Sequence, residues 1–211
     1  MLAIGGDLSP NRLLLAYANG IFPWPEGENS PLLWASPDPR LVFYPNKFHV
    51  SRRLHRTLKK EFIITFDSQF EEVIRLCASV PRVNQHGTWI TKDIIHAYIQ
   101  LHHMGFAHSV EVIEQDSLVG GLYGIALGGV FSAESMFHLK TYTSKIALYH
   151  LAQRLIQWDF DVLDAQVPSP FLKTLGAEEI SRKTYLTLLS KSLQKPTRRG
   201  KWAPENGSLE L

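Results

Sequence analysis

This sequence predicts an α+β fold in which helices pack against a sheet whose centre is an antiparallel meander. Residues 108–137 hold three successive β-like runs, HSVEVIE, LVGGLYGIALG and GVFSAESMF, the first pair joined by a tight turn at Gln115-Asp116-Ser117. Helical spacing of apolar residues brackets that block, at 68–80 and 91–104 before it and at 143–158 after it. With 211 residues, 45% hydrophobic and 11% aromatic, the chain can bury the core such a layout needs.

The opening, from Ile4 to Arg40, is dense in glycine and proline yet carries Phe22, Trp24 and Trp34. Ser9-Pro10 reads as N-cap and first helical position of a short helix over 10–18, ended by Gly20. Beyond it Pro23, Pro25, Pro31, Pro37 and Pro39 predict an ordered loop. The two tryptophans then either plug the seam between a small N-terminal domain, residues 1–38, and the main body, residues 39–211, or wall a ligand pocket.

LVFYP (41–45) is a strand stopped by proline, and SRRLHRTLKK (51–60) a helix capped by Ser51. Leu54 and Leu58 turn inward there, leaving Arg52, Arg53, Arg56, Lys59 and Lys60 as a basic outer face. A solvated surface is one reading of that face. A second basic stretch, KSLQKPTRRGK (191–201), supports the other, a localised polyanion footprint. FIITF (62–66) reads as a strand, and 68–80 as a helix with Phe70, Val73, Ile74 and the core thiol Cys77 on one face. A loop over 81–88 leads to Trp89 and a helix starting at Thr91 that groups Ile94, Ile95, Tyr98 and Leu101; Trp89 and Tyr98 suit either core or binding-site wall.

Five glycines from Gly120 to Gly129 interrupt the meander and imply a bulge or a substrate groove. The helix over 143–158 buries Ile146, Leu148, Leu151, Ala152, Leu155 and Ile156, DVLDAQV (161–167) is a strand, and a last helix lies near 182–193. Between Leu118 and Gln166 this pattern delivers two isolated acids, Glu134 and Asp164, with Gln166 beside the second. Convergent acids in an apolar setting mark a candidate site; the alternative is that either acid is a buried ion-pair partner.

Whole-chain totals narrow the class. Twenty-two basic against 20 acidic residues, net +2, is too balanced to announce a nucleic-acid binder by itself. One cysteine excludes an internal disulfide framework and a cysteine-pair zinc site, and nine dispersed histidines without HExxH argue against a bound metal. The first ten residues lack a signal-peptide pattern, and no apolar run nears the ~20 residues of a membrane span. A soluble, cytoplasmic, monomeric protein is expected.

The segments GGDLSPxRLLxAYxxGIFPW (5–24), WxSPDPR (34–40), SRRLHRTLKK (51–60), FEEVIRLCA (70–78), GTWIT (87–91), AYIQLHHMGFAHSVEV (97–112), LVGGLYGIALGGVF (118–131), ESMF (134–137), SKIAL (144–148), LDAQ (163–166) and LGAEEI (175–180) resemble the leucyl/phenylalanyl-tRNA–protein transferase family, in order and over most of the chain. The resemblance implies a GNAT-like acyltransferase domain. It also implies transfer of Leu or Phe from aminoacyl-tRNA to the N-terminal Lys or Arg of acceptor proteins, which marks them for bacterial degradation. By the family's motifs, Trp24, Trp89 and Tyr98 bind the aminoacyl-adenosine end, Leu122, Phe131 and Leu151 form the amino-acid pocket, and Glu134, Asp164 and Gln166 are catalytic. The expected division of labour has Asp164, polarising Gln166, deprotonate the acceptor amine while Glu134 selects a cationic N-terminus. No cofactor is implied. The connection HLKTYTSK lacks the glycine of a phosphate-cradling turn, so coenzyme A is disfavoured. Ala133, His138, Tyr142-Thr143, Ala165 and Phe171 depart from the family pattern. A tRNA- or peptide-binding module without catalysis and an acetyl-CoA-dependent acetyltransferase are the competing classes.

Overall fold

A computed structural model describes residues 1–81 and 88–203. The loop expected over 81–88, Gly87 of GTWIT included, lies outside the described residues apart from Pro81 and Thr88. In chain order the elements are β1 (Ala3–Ile4), α1 (Pro10–Ala18), β2 (Phe22–Pro23), β3 (Leu33–Ala35), β4 (Arg40–Phe43), a 3-10 turn (Pro45–Lys47), α2 (Arg52–Leu58), β5 (Ile63–Phe66), α3 (Phe70–Ser79), α4 (Lys92–His103), β6 (Ala107–Glu114), β7 (Ser117–Leu127), β8 (Val130–His138), α5 (Thr143–Gln157), β9 (Val162–Gln166), α6 (Pro170–Lys173), β10 (Glu178–Ile180) and α7 (Arg182–Ser192).

The main sheet has seven strands in the order β10-β4-β9-β8-β7-β6-β5. Every neighbour is antiparallel except β8 and β9, which run parallel. This is the mixed, largely antiparallel α+β architecture expected. Gln115 and Asp116 both take positive φ, the conformation a two-residue hairpin turn requires. Side chains then alternate across the sheet. Val110, Val112, Leu122 and Ala126 join the core under α5, while Ala107, Tyr123, Ile125 and Phe137 join the one under α1, α3 and α4.

The strand glycines serve close approach rather than a groove. A Cβ on Gly120 would lie 2.4 Å from Thr143 Oγ1 at the start of α5, and one on Gly124 would lie 2.3 Å from the Ser132 carbonyl, beside the bulge in the β7–β8 ladder.

Several expectations need correction. The proline-rich opening is not all loop: β1, β3 and β2 form a small antiparallel sheet. Pro23 is accommodated because β2 is an edge strand, where no ladder partner needs its missing N–H. Ser9 occupies the N-cap of α1 but makes no capping bond through its side chain. Ile156 is 44% exposed near the end of α5, and Leu58 is only half-buried. The short elements α6 and β10 carry too few residues to show a period. After α7 the chain runs back across the molecule and inserts Trp202, whose ring stacks on His108 at 3.9 Å and whose backbone N–H donates to Asp67 at 2.7 Å.

Candidate active site

Strands β8 and β9 pair only from Val130↔Val162 to Ser132↔Asp164, yet continue to His138 and Gln166. Beyond Ser132 they diverge, leaving open the ends of two parallel strands, where ligands of open sheets bind. A cavity of about 960 Å³ lies there, lined among others by Trp24, Trp89, Leu122, Glu134, Met136, Lys145, Leu163 and Gln166. Its size suits a ligand of nucleoside dimensions.

Glu134 projects from β8 into this space, nine-tenths buried. Gln166 Nε2 donates to one carboxylate oxygen at 2.7 Å and the Tyr98 hydroxyl to the other at 3.1 Å. Tyr98 in turn shares a short hydrogen bond with Tyr17 of α1. No cation pairs with Glu134 among the described residues. Burial therefore pushes its carboxyl up to about 7, against the downward pull of hydrogen bonds from Tyr17, Gln166 and Tyr98. Burial also raises both tyrosines well above their ordinary range, so they stay neutral donors.

Asp164 is placed differently from the expectation that it deprotonates an amine. It is fully buried and accepts from Arg40 Nε at 2.8 Å, Arg40 Nη2 at 2.6 Å and the Tyr185 hydroxyl at 2.8 Å. It is not on the cavity wall, because β9 turns it to the face that packs on α7. Arg40 lies over the rings of Tyr185 and Phe22 and donates to the Gly20 carbonyl at 3.0 Å. Burial works against its charge, but the Asp164 carboxylate outweighs that and raises its pKa. Asp164 meets Gln166 through the backbone instead, accepting from its N–H at 3.0 Å and holding a residue with φ of +64°. The side-chain amide that Asp164 was expected to polarise is bonded to Glu134.

The remaining expected residues divide. Trp24 and Trp89 are on the cavity wall, as is Leu122. Tyr98 is not. It is fully buried, edge-on to Tyr123 and 5.7 Å from it, with no ring face free for a base. Phe131 and Leu151 also sit in the core behind the wall, where Leu148, one turn earlier on α5, faces the cavity. Trp34 is buried off the cavity wall, its indole N–H donating to the Gly5 carbonyl at 2.9 Å. Arg52, Arg53, Arg56, Lys59 and Lys60 are exposed along α2 and form no ion pair with a described residue. In the second basic stretch Lys195 is neutralised by Asp159 and Asp161, at 2.9 Å each.

Sequence reasoning missed Arg40, Tyr17 and Tyr185. The only signals were Tyr17 inside GGDLSPxRLLxAYxxGIFPW and Arg40 inside WxSPDPR; the partners of Arg40 stand 20 and 124 residues away along the chain. Among the described residues no group of three His, Cys, Asp or Glu side chains is placed to hold a metal ion. Tyr142, before α5, adopts φ of +76° without being glycine, so the backbone bend that the missing glycine argued against is present.

A family model described as leucyl/phenylalanyl-tRNA protein transferase matches residues 42–190, and one for that family's N-terminal domain matches residues 6–38. The chain belongs to the leucyl/phenylalanyl-tRNA protein transferase family. A leucyl/phenylalanyl-tRNA–protein transferase of Maridesulfovibrio salexigens is 51% identical over 213 residues, covering 100% of this chain and 88% of the relative. One from Legionella pneumophila is 50% identical over 204 residues, 96% of this chain and 90% of the relative. Of solved structures, a GCN5-related N-acetyltransferase from Kribbella flavida is similar at a TM-score of 0.43 and 10% identity, over 77% of this chain and 57% of that one. Among the described residues of this family member, no helix is long and apolar enough to cross a membrane.

Proposed function

We propose that this chain transfers leucine or phenylalanine from aminoacyl-tRNA to the N-terminal lysine or arginine of an acceptor protein. The observation that carries the reading is Glu134: a carboxyl without a cationic partner among the described residues, with its pKa near 7, set in an apolar cavity beside the amide of Gln166. Such a group suits an amine that arrives as ammonium and must lose a proton.

In this mechanism the aminoacyl side chain lies against Leu122, Met136 and Leu148, and Trp24 and Trp89 offer ring faces to the terminal adenine, a contact worth about 1–3 kcal/mol per base. Glu134 takes one proton from the acceptor α-ammonium. The freed amine attacks the ester carbonyl, and the second N–H of the Gln166 amide is available to the developing oxyanion. As the C–O bond breaks, the ribose oxygen leaves with the proton held by Glu134, and the regenerated carboxylate takes the second proton from the attacking nitrogen and passes it to solvent, giving an amide and a free 3′ end. The ester is already activated, so no covalent enzyme intermediate is needed. Asp164 is a positioning residue here, fixing the Gln166 backbone through its N–H. The exposed cations of α2 supply an electrostatic footprint for the tRNA backbone.

The deciding experiment supplies labelled Leu-tRNA and Phe-tRNA with peptides beginning Lys, Arg or Ala. Label is expected on the Lys and Arg peptides and not on the Ala peptide. Absence of transfer to all three, or equal transfer to all three, would overturn the reading.

A further inference from the structure

The start of α5 forms a part of the cavity wall that the mechanism above leaves unused. Ser144 is 6% exposed and lines the cavity, yet its hydroxyl has no hydrogen-bond partner among the described residues. Its oxygen is not one of the enclosed unpaired polar atoms, so it opens onto the cavity and is available to a group that enters there. Lys145 is the one Lys or Arg among the described lining residues and forms no ion pair with any described residue. Its Nζ lies 5.1 Å from the Tyr142 ring centre and 4.9 Å from that of Phe171, so two aromatic faces hold the ammonium in place. α5 has no acid in its first turn and no side-chain cap from Tyr142; the Thr143 N–H donates to the Lys140 carbonyl at 3.2 Å, which leaves the Ser144 and Lys145 amides without an acceptor among the described residues. A free hydroxyl on the cavity wall, a held cation and an uncapped start of a 15-residue helix together make an anion site.

We propose that Ser144, Lys145 and the first-turn amides of α5 bind a phosphate, and that it is the 5′-phosphate of the donor's terminal adenosine. The assignment of the source rests on the donor reading given above. Among the described lining residues Glu134 is the one carboxylate and Lys145 the one Lys or Arg, so the cavity has two poles. The acceptor brings an ammonium and the terminal nucleotide brings an anion. Opposite charges therefore sort the two substrates within one cavity. Tyr142 and Phe171, where this chain departs from its family's pattern, are the residues that orient the cation.

The test uses two non-hydrolysable donors, 3′-leucylamido-adenosine with and without a 5′-phosphate, titrated at fixed salt. Wild type is expected to bind the phosphorylated form at least about tenfold more tightly, the size of one charge-assisted contact. Lys145→Gln should remove most of that preference while leaving the unphosphorylated form within about twofold of wild type; Lys145→Arg should restore it, and Ser144→Ala should reduce it. Equal affinity of wild type for both forms overturns the phosphate site and leaves the donor reading standing, as does Lys145→Gln weakening both forms alike. Failure to bind either form removes the donor reading and the phosphate assignment together. Inorganic phosphate is expected to bind alone only weakly. Phosphate that adds to the unphosphorylated form and recovers the full affinity gain would reassign the site to the free ion and overturn its assignment to the donor.

Discussion

Replacing Glu134 by glutamine tests the centre of the proposed chemistry through stability as well as activity. The carboxyl is nine-tenths buried and answered only by neutral donors, Gln166 at 2.7 Å and Tyr98 at 3.1 Å. Burial lifts it from 4.5 to about 7, a gap equivalent to about 3 kcal/mol. The sign follows from which state holds the proton. Between those values the folded chain keeps a proton that the unfolded chain has released, so the stabilisation is complete below about 4.5 and is lost as pH rises through about 7. Glutamine keeps the shape and removes the titration. Its amide can donate to the Tyr98 hydroxyl, which then donates to Tyr17. Urea unfolding of both proteins from pH 5 to 8 should show Glu134→Gln gaining on wild type by about 2–3 kcal/mol across the range. Other titrating groups, Glu111 and His150 included, are common to both proteins and cancel. Parallel stability curves would refute the reasoning, since they would mean the carboxyl is solvated or paired. In the transfer assay wild-type rate should rise with pH through about 7, and the variant should lose about 10²–10⁴-fold together with that rise.

Removing Asp164 leaves Arg40 buried without its carboxylate, so Asp164→Ala should lose about 3–5 kcal/mol in urea unfolding, and the pair Arg40→Met with Asp164→Leu should recover most of it without recovering transfer. An Asp164→Ala protein of wild-type stability that transfers nothing would return this acid to the chemistry. Reversing Arg52 and Arg53 to Glu should weaken tRNA binding and flatten its dependence on log salt by about 1–2 while sparing adenosine analogues; an unchanged slope removes α2 from the tRNA path. Trp202→Ala should cost about 3–5 kcal/mol, because the ring fills a buried space between His108, Phe131, Trp158 and Phe160. A loss below about 1 kcal/mol would show that the tail only rests on the surface.

The elements with enough residues to display a period were legible: α3, α4, α5 and the β6–β8 meander lie within a residue or two of where apolar spacing put them. What was not legible depends on partners distant in the chain. β2 needs β3 beside it before Pro23 can count as an edge position, and β10 has three residues paired to β4. Trp202 sits in a basic tail with no local signal, and its place is decided by His108 and Asp67. The cavity's aromatic wall shows the same limit. Trp24 and Trp89 reached it and Tyr98 did not, because α4 turns Tyr98 under β7 to meet Tyr123 and Glu134.

The two acids show a difference that sequence alone leaves undivided. In the chain Glu134 and Asp164 look alike, each isolated on a strand in apolar surroundings. Their environments separate them. Asp164 meets a guanidinium from the start of β4 and a tyrosine from α7, which occupy both its oxygens away from the cavity. Glu134 meets only neutral donors and the cavity, which leaves its proton free to move near neutral pH. The same burial has opposite consequences because only one acid is paired, and Gln166 links the two, its backbone held by one and its side chain by the other. Exchanging their roles by supplying Glu134 with a cation should therefore silence the site: a Tyr17→Lys substitution, bringing an ammonium up to the Tyr98–Glu134 pair, should lower the Glu134 pKa and abolish the rise of transfer rate through about 7. A Tyr17→Lys enzyme that stays folded and keeps the wild-type pH profile would mean that the proton taken from the amine goes elsewhere.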